Sequence, residues 1–286
     1  MNHRIVPLSA GLTFVATPIG TARDITLRAL DVLASADILA AEDTRTLRKL
    51  MEIHGVPLGD RQVVAYHEHS TPAVRDRLVA EMRAGKSLAY ASEAGTPLVA
   101  DPGYQLARSA IEAGIAVDST PGPSAILAAL TVAGLPSDRF FFAGFAPSAK
   151  TQRQTWLSEL REISGTLVLY ESPKRLNALL TDACDTLGQD RQAVICRELT
   201  KKFQEVARGS LGTLSDAFAT RRIKGEVVVL IDRPGTVETD EKDIEAALKD
   251  ALKTHSVKDA ATVVAGALSV PRREVYQMAL AMGKSS

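Results

Sequence analysis

The chain has 286 residues, 45% apolar and 24% charged, a composition that fits two packed domains and leaves little scope for disorder. Its 34 lysines and arginines are balanced by 34 aspartates and glutamates. That balance argues against binding free nucleic acid by charge alone, because such affinity comes from phosphate neutralisation. The two cysteines, Cys184 and Cys196, lie in apolar surroundings without a Cys-x-x-Cys spacing. They predict reduced buried thiols, and no metal site is expected. No window reaches the ~18–20 uninterrupted apolar residues of a membrane helix, and the start lacks a signal-peptide pattern, so a cytoplasmic protein is expected.

In chain order, residues 12–16 read as a strand ending in Thr17-Pro18-Ile19-Gly20. Asp24 is expected to cap a helix whose buried stripe is Ile25, Ala29, Val32 and Leu33. Residues 38–41 form a second strand, 44–54 a helix closed by Gly55, and 63–66 a third strand. Thr71-Pro72 opens the next helix, which Gly85 ends. Residues 87–92 are a fourth strand, Asp101-Pro102 opens a helix towards Gly114, and 115–120 are a fifth strand. Pro121-Gly122-Pro123-Ser124 leads into a small-residue helix over 125–133. Such alternation predicts a parallel sheet covered on both faces.

A second unit follows, with strands over 139–145, 166–171, 193–198, 205–210 and 226–232. Its helices are expected over 151–163, 173–187 and 213–222. The closely spaced late strands imply antiparallel pairing, hence a mixed sheet. Beyond a polar linker at 233–240, three short helices are marked by Leu248, Ala251 and Leu252, then Ala260, Val263, Val264 and Ala267, then Val275, Met278 and Ala279. The expected organisation is a tail over 1–11, an α/β domain over 12–136, a second over 137–235 and a helical appendage over 236–286.

Four turns each follow a strand and precede a helix, where ligands bind in doubly wound sheets. They are Thr17-Pro18-Ile19-Gly20, Glu42-Asp43-Thr44-Arg45, Glu93-Ala94-Gly95-Thr96-Pro97 and Pro121-Gly122-Pro123-Ser124-Ala125. Their glycines let a ligand approach the backbone, and the Thr96 and Ser124 hydroxyls offer polar contacts. Ordinary turn chemistry is the alternative for each turn taken singly. Neither GxGxxG nor a P-loop lysine motif occurs. The dense ionisable cluster Glu42, Asp43 and Arg45 is the first candidate for substrate handling, with Glu171 and Glu198 behind it. Helix capping by Asp43 with a surface ion pair stands as its structural alternative. His67 and His69 lack a matching carboxylate and read as a polar loop.

Further motifs extend the series: Ala-Glu-Asp-Thr-Arg (41–45), Ala-Gly-Thr-Pro with Asp-Pro-Gly (94–103), Gly-Phe-Ala-Pro (144–147), Tyr-Glu-Ser-Pro-Lys-Arg-Leu (170–176), Arg-Glu-Leu-Thr-Lys (197–201) and Lys-Gly-Glu (224–226). In this order, over residues 12–282, the chain resembles the small-subunit ribosomal RNA methyltransferases of the tetrapyrrole-methylase superfamily. It departs from their usual pattern in carrying Glu93 where the family has aspartate, and Gly-Thr-Ala where the first turn more often reads Gly-Asn-Leu.

The resemblance implies two α/β domains with S-adenosylmethionine bound in the cleft between them. It places Pro18, Ile19, Thr96, Val99, Ser124, Ala125, Tyr170 and Leu199 around that cofactor. It further implies 2′-O-methylation of a decoding-site cytidine in 16S rRNA of the small ribosomal subunit, by a homodimer. RNA would be held by basic segments such as Arg45–Arg48–Lys49 and Arg197–Lys201–Lys202. The rival readings are a tetrapyrrole methylase of the same superfamily, whose Gly-x-Gly-Pro-Gly-Asp first turn is absent here, and a non-catalytic ribosome-associated factor that would bind no cofactor.

Overall fold

The computed structural model describes residues 2–234, 241–268 and 270–283. It divides into a compact unit ending at Asp232 and a second unit from Arg233 onward. The first unit holds two five-stranded sheets. β1 (Gly11–Val15), β2 (Ile38–Ala41), β3 (Val63–Ala65), β4 (Ser87–Ala91) and β5 (Val117–Thr120) form the first, in the order β3-β2-β4-β1-β5. Every pairing in it is parallel. β4 lies between two neighbours with both faces covered, which is why all five of its residues are buried. Edge strand β5 exposes Val117, Asp118 and Ser119.

Helices α1 (Leu27–Ser35) and α2 (Thr44–Ile53) cover one face, packing Leu30, Leu33 and Leu47 on Val15, Leu39 and Ala91. On the other face, α3 (Pro72–Arg83) and α4 (Tyr104–Glu112) pack Leu78, Met82 and Leu106 on Leu12, Phe14 and Tyr90. The stripe expected on α1, Ile25, Ala29, Val32 and Leu33, is buried throughout. Its cap, however, is Thr26, whose hydroxyl accepts from the Ala29 amide at 3.1 Å. Asp24 instead ends a 3-10 turn, Ala22–Asp24. Likewise α4 starts at Tyr104, behind Gly103, so Asp101 and Pro102 lie in the preceding loop. The 1–11 segment is tied to α1 through Arg4 N–H to Asp31 and Val6 N–H to Ser35.

α5 (Ala125–Ala133) leads into β6 (Phe140–Phe145), α6 (Lys150–Leu160), β7 (Thr166–Glu171), α7 (Leu176–Leu187), β8 (Gln192–Arg197), β9 (Glu205–Ser210), α8 (Leu211–Phe218) and β10 (Val227–Ile231). This sheet runs β6-β7-β10-β8-β9. Only β6 and β7 pair in parallel, so it is mixed as expected. Alternation along β10 sorts its neighbours: Val227, Val229 and Ile231 meet α6, α7 and α8, while Val228 and Leu230 meet α5. α5 therefore packs on the second sheet through Ile126, Ala129 and Leu130, although the sequence boundary near 136 groups it with the first. Its apolar face has to follow the sheet that buries it.

In the second unit, α9 (Glu241–Ala251), α10 (Val257–Leu268) and α11 (Arg272–Gly283) share a core of Leu248, Ala260, Val264, Val275 and Ala279. Val263 and Ala267 from the expected stripe face solvent, and Ala261 and Ala265 are buried instead.

One buried ion pair locks α6 to α7. Arg153 Nε and Nη2 lie 2.7 and 2.5 Å from Asp182 Oδ2, and the two side chains are only 6% and 2% exposed. Arg153 also donates to the Pro147 and Ser148 carbonyls. Asp182→Ala strands that guanidinium without its anion, and a loss of about 3–5 kcal/mol is expected in urea unfolding. A change below about 1 kcal/mol would show that solvent reaches the pair.

Candidate active site

In the first sheet, the connection after β1 runs towards β2 and β3, whereas that after β4 runs the other way to β5. The carboxyl ends of β1 and β4 are thus a topological switch point, where a crevice opens. Two backbone hydrogen bonds hold it: Thr17 N–H to Gly95 O at 2.9 Å and Gly95 N–H to Thr17 O at 3.0 Å. The other turns are joined to this bridge. Thr96 Oγ1 donates to Pro123 O at 2.8 Å, and the Glu93 amide donates to Glu42 Oε2 at 3.3 Å. Gly122 lies so close to Ala16 that a Cβ would sit 2.8 Å from the alanine methyl. Across to the second sheet, the Thr21 amide donates to Thr200 Oγ1 at 3.2 Å.

The hollow beneath these turns has a volume of about 640 Å³, within the usual range for small-molecule sites. Pro18, Ile19, Thr96, Val99, Ser124, Ala125 and Tyr170 all line it. Leu199 does not; it is buried behind the wall in the cluster containing Ile19, Val99 and Tyr170. The Thr96 hydroxyl proton is committed to joining two turns. Ser124 precedes α5 and makes no capping hydrogen bond. Tyr170 is wedged edge-on between Phe142 and Phe145, and burial pushes its phenol up to about 12.

The proposed trio Glu42, Asp43 and Arg45 separates. Glu42 lines the hollow, and burial raises its carboxyl above the ordinary value. Asp43 instead N-caps α2, accepting from the Arg45 and Thr46 amides. It also pairs with Arg45 Nη2 at 2.9 Å. The Arg45 hydrogen bonds hold its carboxyl down to about 2, a poor base. The capping and ion-pair alternative is what the geometry displays for these two residues.

The residue that motif reading missed is Asp101, on the same wall. Burial, reinforced by the charges of Glu42 and Glu93, pushes its carboxyl up to about 7. The loop presenting it is strained, with Leu98 and Ala100 at φ 70° and 60°, a region costly for side-chain-bearing residues. Asp101 lay within the quoted Asp-Pro-Gly segment, and its place after a strand was the available signal.

Of the second-sheet candidates, Glu171 lines the hollow and is 3% exposed. Its Oε1 accepts from Arg175 Nε and the Ser172 amide, both at 2.7 Å, while Oε2 is buried with no hydrogen-bond partner. Glu198 has a structural task, accepting from the Glu226 amide and Lys201 Nζ at 3.0 Å each. Arg197 and Lys201 are likewise paired, with Glu205 and with Glu198 and Glu226. His67 and His69 stack edge-on, and no cluster among the described residues is arranged to hold a metal ion.

Residues 11–215 match the family model for tetrapyrrole (corrin/porphyrin) methylases, and residues 238–283 match that for the RsmI C-terminal HTH domain. A ribosomal RNA small subunit methyltransferase I from Mesorhizobium japonicum is 44% identical, the match covering 98% of this chain and 95% of the relative. Its namesake from Xylella fastidiosa is 40% identical over 93% and 97%. The chain belongs to the ribosomal RNA small subunit methyltransferase I family of tetrapyrrole methylases. Its fold is shared by a cobalt precorrin-4 methyltransferase, with TM-score 0.59 and 18% identity over 77% of this chain and 94% of that one. It is shared too by a Thermus thermophilus uroporphyrin-III C-methyltransferase solved with S-adenyl homocysteine, with TM-score 0.52 and 17% identity over 78% and 97%. As a member of this methylase family, the chain takes S-adenosylmethionine as its methyl donor.

The raised Asp101 carboxyl has a measurable consequence. The folded chain holds this proton more tightly than the unfolded chain, whose value is 3.8. Its stabilising effect is therefore full below 3.8 and is lost as pH rises through about 7. Asp101→Asn should raise the melting temperature relative to the parent, and by more at pH 8 than at pH 5. An equal difference at both pH values would mean that Asp101 ionises normally.

Proposed function

We propose that the chain transfers a methyl group from S-adenosylmethionine to the 2′-hydroxyl of a cytidine at the decoding site of 16S rRNA, within the small ribosomal subunit. The observation that carries this reading is the meeting of all four βα turns around one hollow, in a chain whose relatives are named small-subunit RNA methyltransferases. S-adenosylmethionine, when bound, supplies a methyl group already activated on a sulfonium.

The fit rests on features of the hollow. Ala94, Gly95 and Ala125 keep its wall close to the backbone, and Val99 and Val228 make it apolar. The unpartnered Glu171 Oε2 leaves an acceptor for a ligand donor. Pro18, Ile19, Thr96, Val99, Ser124, Ala125 and Tyr170 form the binding wall, with Leu199 supporting it from behind. Asp101 takes the proton of the ribose hydroxyl: a group near 7 is largely ionised just above neutrality and still basic enough to accept it. Glu42 and Glu93 keep that carboxyl basic. Positioning provides the remaining acceleration.

The protein acts in the cytoplasm, where its substrate is. Among the described residues no helix is long and apolar enough to cross a membrane. A homodimer is favoured by edge strand β6, where Phe140 and Phe141 are each 44% exposed.

Labelled methyl should pass to small subunits from cells lacking this protein, with the label mapping to a cytidine ribose. Label on a uroporphyrin-like acceptor and none on subunits would reject the RNA assignment. Ser124→Trp fills the hollow and should abolish cofactor binding in calorimetry; unchanged affinity would put the cofactor elsewhere. Asp101→Asn should lower kcat by about 10²–10⁴-fold and remove a pH limb near 7. Retention of that limb would assign the proton to another group.

A further inference from the structure

A second hollow of about 530 Å³ lies beside the first. Pro18, Gly20, Thr46 and Glu93 line both, so the two adjoin. Its outer wall is α2, carrying Arg45 and Lys49, whose side chains are 90% and 65% exposed. An i, i+4 spacing sets these two cations on one helix face. The floor is apolar, made by Ala22, Leu50 and Ile53, and Ile53 is left 54% exposed there.

We propose that this hollow is the subsite for a nucleotide flanking the target ribose, with Arg45 and Lys49 meeting its phosphate and the apolar floor its base. The proposal rests on the ribose-methylation reading above. A ribose within a polymer is tethered on both sides by phosphodiesters, so its site must open into a groove; a free small-molecule acceptor needs none. Five carboxylates, Glu42, Glu93, Asp101, Glu171 and Glu226, line the first hollow, and its one cation, Lys201, is already paired with Glu198 and Glu226, so phosphates are driven out of it. The nearest cations on the wall of the second hollow are on α2. The 3.0 Å Lys49–Glu52 pair is solvent-exposed on both sides, so its exchange for a phosphate costs little.

Lys49→Glu tests this with the full chain and small subunits lacking the modification. A rise in KM of at least about tenfold is expected, with kcat and S-adenosylmethionine affinity unchanged. The slope of log(kcat/KM) against log[salt] should fall by about one. Arg83→Glu, at the opposite ends of the first-sheet strands, reverses a charge outside the groove and should leave KM unmoved. Labelled subunits with KM unmoved by Lys49→Glu, or raised equally by Arg83→Glu, would overturn the subsite alone. Subunits left unlabelled by the parent enzyme would reject the ribose-methylation reading and the subsite with it.

Discussion

Two hydrogen bonds between Thr17 and Gly95 hold together the part of the molecule on which the rest depends. They tie the ends of β1 and β4, adjacent strands whose onward connections diverge, and so brace the point where a doubly wound sheet would otherwise gape. Gly95 is suited to the position: its φ is +83°, and an added Cβ would press on Ile19 at 3.3 Å. The hydroxyls nearby serve the same bracing, since Thr17 donates to Ser92 O and Ser92 to Gly95 O. Polar side chains that look available in a motif are therefore already engaged. What remains for a ligand is the shape of the turns and the few polar atoms left over.

The second constraint is electrostatic. An overall charge of zero conceals a strong local separation. Glu42, Glu93, Asp101, Glu171 and Glu226 line the first hollow against one cation, the paired Lys201, while Arg45 and Lys49 stand on α2 around the second. Burial with like-charged neighbours raises the Asp101 carboxyl in the first hollow, whereas Asp43, on the wall of the second, is held acidic by Arg45. The two carboxyls thus shift in opposite directions because one is desolvated among carboxylates and the other faces an arginine.

Much of this was legible in the residues. Apolar runs, glycine stops and proline starts placed β2, β7, β9 and α5 at their observed bounds, because those signals are local. The four turns were recognisable for the same reason. The errors came where a nearby residue competed for a role. Thr26 displaced Asp24 as the cap of α1, and the strained 97–103 loop postponed α4 to Tyr104. The Asp101-Pro102 pair reads in sequence as a helix opener, since it gives no sign of burial or of neighbouring carboxylates far away in the chain.

The elements, the parallel and mixed character of the two sheets, and the family through its ordered turns are all written in the order of residues along the chain. These follow from short-range pattern: period, breaker and cap are written in consecutive residues. Tertiary structure alone decided that α5 belongs to the second sheet, that the Thr96 hydroxyl braces a turn, that Leu199 stands behind the wall, and that Asp101 and not Asp43 carries the raised carboxyl. Each of those outcomes depends on which distant groups surround a residue, and so on desolvation and charge at ångström range.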